Sequence, residues 1–356
     1  MSMSENVLTE SLQRDPGAEN YVDRKRHLWI LSVLWPATPL IGLYLVSQTG
    51  WSIWYGLVLI LWYGAVPLID AMFGEDFSNP PESAVPRLEQ DRYYRVLTYL
   101  TVPIHYAALI VSAWWVSTQP MSVFEFLALA LSLGIVNGLA LNTGHELGHK
   151  KETFDRWMAK LVLAVVGYGH FFIEHNKGHH RDVATPMDPA TSRMGESIYS
   201  FSLREIPGAF KRAWDLEEQR LSRCGKSVWS LENEVLQPMI LTAVLYAGLL
   251  AFFGPLMLIF LPIQMAFGWW QLTSANYIEH YGLLREKMSV RHSFGKRGQP
   301  RKPKNPMRYD LADFELLEIG ALREMLELQF VPTQGGGGVA GGDGMDLERV
   351  VDDFVF

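Results

Sequence analysis

The fold and the chemistry of this chain are decided by two stretches, Asn142-Thr143-Gly144-His145-Glu146-Leu147-Gly148-His149-Lys150 and Glu174-His175-Asn176-Lys177-Gly178-His179-His180. Six of the ten histidines in the sequence fall between His145 and His180. Residues four apart on a helix lie on the same face, so His145 pairs with His149, and the later stretch repeats that spacing. Imidazole suits zinc, copper, iron and nickel as a ligand. Two such groups, each beside an apolar stretch, predict a metal site; the alternative is a set of surface or helix-capping histidines.

The composition of the chain is apolar for a soluble protein. Of its 356 residues, 49% are hydrophobic and only 19% are charged. The net charge of −7 does not favour a nucleic-acid binder. The single cysteine, Cys224, excludes a disulfide framework and a cysteine-ligated iron–sulfur cluster. The polar first 20 residues do not form a secretory signal peptide, because the first apolar run that follows is long enough to span a membrane.

Six apolar stretches have the length needed to cross a hydrocarbon core of about 30 Å. They run over residues 28–46, 51–69, 97–116, 122–143, 236–253 and 256–276. The three short connections within successive pairs contain no lysine or arginine, so the positive-inside rule places both termini and the long 144–235 loop in the cytoplasm. We therefore expect an all-α integral membrane protein, with six transmembrane helices and a cytoplasmic histidine-rich metal-binding face.

This topology divides the chain into three parts. Residues 1–27 form a cytoplasmic N-terminal arm, residues 28–284 the six-span domain, and residues 285–356 a basic, then acidic and glycine-rich tail predicted to be disordered. Within the cytoplasmic loop, residues 157–172 are apolar but short. They are expected to lie at the interface, or to dip into the membrane and return, which requires packing against protein.

The predicted site contains more nitrogen ligands than one tetrahedral zinc ion can use. His280, just past the sixth span, lies on the same predicted membrane face as the five loop and fourth-span histidines. Six imidazoles fit a two-metal centre, or one octahedral ion and an unrelated histidine. Each group has a neighbouring carboxylate, which is either an outer partner of a metal-bound imidazole or a solvated helix-end residue. These carboxylates are Glu146, Glu174 and Glu279.

A metal at the mouth of a helical bundle can meet substrates dissolved in lipid, which need only an apolar channel. Oxidation of an unactivated C–H bond requires O₂ chemistry, which points to iron. Trp62, about two helical turns above Asp70 in the second span, could narrow such a channel, and Asp70 could line it. The alternatives are a core or lipid-facing tryptophan and a helix-end aspartate.

At these motifs the sequence resembles the membrane alkane 1-monooxygenase (AlkB-type) family, within the fatty-acid desaturase and hydroxylase superfamily. The resemblance rests on the two histidine stretches, on Asp70-Ala71-Met72-Phe73-Gly74-Glu75-Asp76, and on Asn276-Tyr277-Ile278-Glu279-His280-Tyr281-Gly282. It implies a non-haem di-iron centre that uses O₂ to hydroxylate the terminal carbon of medium-chain n-alkanes. It also implies a bacterial inner-membrane location, with electrons from rubredoxin and an NAD(P)H-linked rubredoxin reductase. The implied iron ligands are His145, His149, His175, His179, His180 and His280.

The chain departs from that family after its sixth span. The family carries a further box of the form Leu-Gln-Arg-His-Ser-x-His-His, which would add three ligands. Here His292, in Arg291-His292-Ser293, is the only histidine after His280. An incomplete di-iron site is therefore expected. Two other interpretations stay open: a desaturase-like or hydroxylase-like enzyme, and a truncated or frameshifted membrane protein that binds metal without catalysis.

Overall fold

The computed structural model describes residues 21–73, 80 and 84–285. The described residues form helices and no strand. We number ten helices in chain order: α1 (Arg26–Thr49), α2 (Ser52–Phe73), α3 (Val85–Gln90), α4 (Arg92–Thr118), α5 (Val123–Gly148), α6 (Thr153–Val165), α7 (171–182), α8 (Ile198–Arg223), α9 (Leu236–Phe253) and α10 (Met257–His280). Most of the N-terminal arm and the tail, with His292, lie outside the described residues.

Five of the described helices are long and apolar enough to cross a membrane, namely α1, α2, α4, α5 and α9. The sixth expected span is also helical, over the 24 residues of α10. Helix α10 is not among those five helices, because Gln264, Gln271 and the Trp269-Trp270 pair lower its mean hydropathy. The expectation of an all-α, multi-pass membrane protein is confirmed, and the exact count of six spans stays a prediction.

The ends of the spans follow from local sequence signals. Ser122 caps α5: its hydroxyl accepts from the Glu125 amide, and the Glu125 carboxylate accepts from the Ser122 amide in return. Asp91 caps α4 by accepting from the amide of Tyr93. At the end of α1, Gly50 has a φ of 69°, the left-handed conformation that glycine adopts without steric cost. These signals keep the connections between paired spans short.

A widened turn interrupts α2. Residues Leu61–Ala65 form a π-helical turn, and regular α-helix resumes at Val66–Phe73. Pro67 accounts for it, because proline donates no backbone hydrogen bond and its ring clashes with the carbonyl four residues earlier. Trp62 lies inside this turn and its ring packs against that of Trp35, with the centroids 5.6 Å apart.

Helix α6 ends inside the protein. Residues Val162 to Val166 are fully buried. The last carbonyls of a helix have no partner within it, and in a dry environment they need side-chain donors. Residues of α4, α9 and α10 supply them: Tyr106 to Leu161 O (2.9 Å), Thr242 to Ala164 O (3.1 Å), Tyr246 to Val165 O (3.0 Å) and Trp269 to Val166 O (2.9 Å). The packing that a returning segment requires is therefore present.

A row of buried polar side chains links four of these helices. His105 Nδ1 lies 3.4 Å from Asn137 Oδ1, the Asn137 amide donates to Gln264 at 2.8 Å, and the Gln264 amide donates to Tyr246 at 2.8 Å. Polar groups on spanning helices are expensive unless they are paired, and paired groups hold helices together. His105, the one mid-span histidine, is thus part of helix packing.

The described residues fall into two compact units. Among the described residues, the first unit comprises those up to Gly169 together with Gln237–Trp269, and the second comprises His170–Leu236 together with those from Trp270 onward. Helix α10 thus belongs to the first unit up to Trp269 and to the second from Trp270. His145 and His149 lie in the first unit, and the other four predicted ligands lie in the second.

The topology can be tested with a reporter that is active only outside the cytoplasm. Alkaline phosphatase fused after Ser117, between α4 and α5, is expected to be active, because that connection carries no lysine or arginine. The same enzyme fused after Gly225, between α8 and α9, is expected to be inactive. An inactive fusion at Ser117 would refute the six-span arrangement.

Candidate metal centre

The histidine pair of the first unit sits at the end of α5. The Nε2 atoms of His145 and His149 converge to 2.8 Å. Adjacent ligands on one metal ion, with bonds of about 2.0–2.1 Å, have nitrogens roughly 3 Å apart. On the other side of the His145 ring, Nδ1 lies 3.5 Å from Glu146. Both rings therefore direct Nε2 to a common point, as two ligands of one ion do.

A glycine next to this pair allows α5 to approach α6 closely. A Cβ placed on Gly144 would lie 2.6 Å from the side chain of Leu163, too close for any larger residue without displacement. Gly144 is buried and directly precedes His145. The close packing of Gly144 on Leu163 thus fixes the backbone that carries the first ligand.

The second unit gathers the other four histidines. Residues Glu174–His179 form a π-helical turn, a feature that often marks functional sites. In a π turn, residues five apart lie over one another. Accordingly, the His175 ring is closer to that of His180 (centroids 4.4 Å apart) than to that of His179 (5.4 Å). The sequence pattern predicts the 175/179 pair on an α-helix; the wider turn adds His180 to the same face.

His179 and His280 each have Nδ1 engaged in a hydrogen bond within the described part of the chain. His280 Nδ1 donates to the carbonyl of Asn276 at 2.9 Å, and His179 Nδ1 donates to Asp188 at 3.0 Å. The two ring centroids are 4.9 Å apart. When the proton of the neutral imidazole is fixed on Nδ1, the lone pair of Nε2 is left to bind a metal ion. The residues present therefore fit a histidine-ligated iron site.

Asp188 is the carboxylate that orients His179. It is fully buried, and it also accepts from the Thr191 hydroxyl at 2.7 Å and from Arg212 at 2.9 Å. Burial opposes its charge, but these hydrogen bonds and the neighbouring charges prevail and lower the pKa of Asp188 to about 2. Burial likewise opposes protonation of His179, yet the contact with Asp188 raises the pKa of His179 above its ordinary value.

Of the three predicted outer carboxylates, Glu146 lies beside its histidine, 3.5 Å from His145 Nδ1. Glu174 is buried, and its ion pair is with Arg212 at 3.6 Å. Burial raises the pKa of Glu174 to about 7, against the charges of His179 and Arg212. Glu279 is half-buried directly before His280. The outer role of Glu174 and Glu279 stays a prediction.

The end of α10 that carries His280 is tied to α8 and to the 183–197 loop. The buried carboxylate of Glu205 accepts from Thr273 at 2.8 Å and from Asn276 at 3.3 Å. Ser192 donates to the carbonyl of Tyr277 at 2.8 Å. Sequence reasoning missed Asp188, Arg212 and Glu205. The sequence indicated only Asp188 among them, through the Asp188-Pro189 pair that follows the second histidine stretch.

The predicted channel residues lie in the first unit. Trp62 is half-buried beside the cluster formed by Val58, Ile135 and Val136. Asp70 is exposed near the end of α2. These positions are compatible with both the channel and the packing interpretations, so the channel role stays a prediction.

Comparison with known proteins agrees with this chemistry. The Fatty acid desaturase family profile matches residues 122–309, more than half of the chain. Alkane 1-monooxygenase 1 of Alcanivorax borkumensis is 91% identical over 286 residues, 80% of this chain and 71% of that protein. The alkane 1-monooxygenases of Ectopseudomonas oleovorans and Pseudomonas putida are 82% and 80% identical, each over 76% of this chain and 68% of the relative. With its histidine stretches and helical architecture, the chain belongs to the alkane 1-monooxygenase family within the fatty acid desaturase superfamily.

Proposed function

We propose that this chain is the membrane component of an alkane hydroxylase, which converts a medium-chain n-alkane and O₂ to the 1-alkanol at a histidine-ligated di-iron centre. The observation that carries the proposal is the set of oriented imidazoles, above all His179 and His280, each with Nδ1 engaged. The identity to alkane 1-monooxygenases supports the substrate class. The proposed ligands are His145, His149, His175, His179, His180 and His280.

The residues around the site have distinct tasks in this proposal. Iron supplies, when bound, the O₂ chemistry that an unactivated C–H bond requires. Asp188 and the Asn276 carbonyl hold protons on the Nδ1 atoms and so keep the rings turned toward the metal position. The Glu146 carboxylate, 3.5 Å from His145 Nδ1, holds the proton on that nitrogen and so orients the His145 ring. An alkane offers no polar group to hold, so apolar walls must position the terminal carbon.

The remaining assignments belong to the same proposal. We place the chain in the bacterial inner membrane with both termini and the 144–235 loop in the cytoplasm, where rubredoxin and its NAD(P)H-linked reductase would supply electrons. Residues 28–284 form the oxygenase domain. The 1–27 arm and the 285–356 tail are proposed as appendages to it.

The ligand assignment can be tested through metal content. His280→Ala in the full chain, purified in nanodiscs, is expected to lower bound iron at least tenfold, because an inner ligand is removed. His27→Ala is the matched control, since His27 is exposed at the start of α1 and should leave iron unchanged. Equal iron in both variants would contradict the assignment.

Product analysis separates the other two interpretations. Conversion of octane to 1-octanol with rubredoxin, reductase and NADH supports the proposal. An unsaturated fatty acyl product would favour a desaturase. Bound iron with neither product, even after the missing histidine box is supplied, would favour a metal-binding protein without catalysis.

The channel hypothesis predicts a change in chain-length preference. Trp62→Ser removes a large ring from the second span, and in a version of the enzyme with the complete set of histidines we expect longer alkanes to be hydroxylated relative to octane. Trp114→Ser is the control, because Trp114 is 46% exposed on α4. Alcohol products from an alkane mixture would be compared by gas chromatography. An unchanged profile for Trp62→Ser would assign that residue to helix packing.

A further inference from the structure

Arg212, on α8, is the centre of a buried charge cluster beside the second histidine stretch. Its Nη1 donates to Asp188 at 2.9 Å and its Nη2 donates to Asp182 at 2.6 Å. Glu174 lies 3.6 Å from Nη1. The Arg212 side chain is only 12% exposed. One guanidinium thus faces three carboxylates drawn from both ends of α7 and from the loop that follows.

The geometry of this cluster suits arginine specifically. A planar guanidinium presents separate N–H groups in a fixed fork, whereas the lysine ammonium is a point charge on a flexible stem. Here one arm of the fork holds Asp188 and the other holds Asp182. A single cationic group thereby ties together the two aspartates that begin and end the 182–188 segment.

The lack of a side chain at Gly178 makes room for the Arg212 guanidinium. A Cβ on Gly178 would lie 2.9 Å from Arg212 Nε and 3.1 Å from Cζ. The glycine directly precedes His179 in the π-helical turn. The backbone that carries the ligand therefore rests on the guanidinium, while the carboxylate that orients the same ligand is bonded to it.

The charge balance explains why Asp188 needs this partner. A fully buried carboxylate is costly unless it is paired and hydrogen-bonded. His179 must be neutral to bind a metal ion, so in the loaded site the positive charge that faces Asp188 would come from the ion, through the imidazole, and directly from the Arg212 guanidinium. Among the described residues, the cation in contact with Asp188 besides His179 is Arg212.

We propose that Arg212 is a positioning residue of the metal centre: it fixes Asp188 and the backbone at Gly178, and through them it sets the orientation and the tautomer of His179. The inference rests on the proposed function, since it assumes that His179 binds metal. Arg212 is not one of the proposed ligands; it acts through Asp188 and the backbone at Gly178.

The test uses Co²⁺ as the probe, with the metal-free full chain in nanodiscs. Arg212→Ala is expected to weaken Co²⁺ binding by roughly 10- to 100-fold, the range typical for loss of an outer partner of a ligand, and to change the visible absorption spectrum of the bound ion. Added guanidinium should restore both, and Arg212→Lys should give intermediate affinity. Lys211→Ala is the matched control, because Lys211 is 75% exposed and pairs only with Asp215 among the described contacts.

The possible outcomes are distinct. Wild-type affinity and spectrum in Arg212→Ala would overturn the inference. Weaker Co²⁺ binding in Arg212→Ala could instead come with an unchanged spectrum, lower thermal stability and no rescue by guanidinium. That result would assign Arg212 a purely structural role and would also overturn the inference. If Arg212→Ala fails to fold, Arg212→Lys decides by the same two measurements. Co²⁺ binding that is unaffected by His179→Ala in the wild-type background would refute the proposed function instead.

Discussion

Insertion of a His-Ser-x-His-His segment after Ser293 is expected to raise the iron content of the 356-residue chain toward two per polypeptide and to bring octane hydroxylation from background to a measurable rate. Without that segment, we expect well under two irons and no measurable 1-octanol with rubredoxin, reductase and NADH supplied. The chain carries six histidines of the nine that its resemblance to the family implies. Loss of one outer partner costs about 10- to 100-fold in affinity or activity, and loss of three inner ligands should cost more.

The matched control is an Ala-Ser-x-Ala-Ala segment at the same position. This segment has the same length and the same position as the histidine segment, but it adds no imidazole. Iron would be measured by elemental analysis and 1-octanol by gas chromatography. Two tightly bound irons and 1-octanol from the unaltered chain would contradict the prediction. His292 and the carboxylates between Asp310 and Glu318 would then be the first candidates for further ligands.

The sequence predicted the helical, membrane-spanning architecture because its signals are long and local. Runs of about 20 apolar residues, separated by short uncharged turns, leave few alternatives to paired transmembrane helices. The structure places helices at all six positions, although α10 is less apolar than the others. The packing of α6 against other helices was also foreseeable, since residues 157–172 are apolar but too short to span.

The sequence anticipates part of the local geometry of the candidate metal site. Histidine spacing identified the pairs, but an α-helical period cannot anticipate the π turn that brings His180 over His175. Adjacency in the sequence also does not identify every carboxylate beside the candidate ligands. Glu174 neighbours His175 in sequence, whereas the carboxylate that contacts His179 is Asp188, nine residues further along. Such partners depend on loop geometry, which a single sequence does not encode as a periodic signal.

Replacing Asp188 is therefore expected to have the second largest effect. In Asp188→Asn the amide oxygen can still accept from His179 Nδ1, but the charge is lost and the amide nitrogen faces the Arg212 guanidinium, where two donors oppose each other. In the chain that carries the inserted His-Ser-x-His-His segment, we expect iron affinity and octane hydroxylation to fall by about 10- to 100-fold. Asp188→Leu, which removes the acceptor as well, should be at least as severe.

Two aspartates serve as controls for this prediction. Asp182→Asn removes a carboxylate bonded to the same guanidinium but not to a histidine, so it separates loss of charge around Arg212 from loss of the His179 contact. Asp215→Asn, on the exposed side of α8, should leave iron binding unchanged. If Asp182→Asn lowers iron affinity as much as Asp188→Asn does, the charge of the cluster matters more than the hydrogen bond to His179. If neither variant lowers iron affinity, the role of Asp188 is limited to stabilising the 183–197 loop, and His179 must be oriented by the metal ion itself.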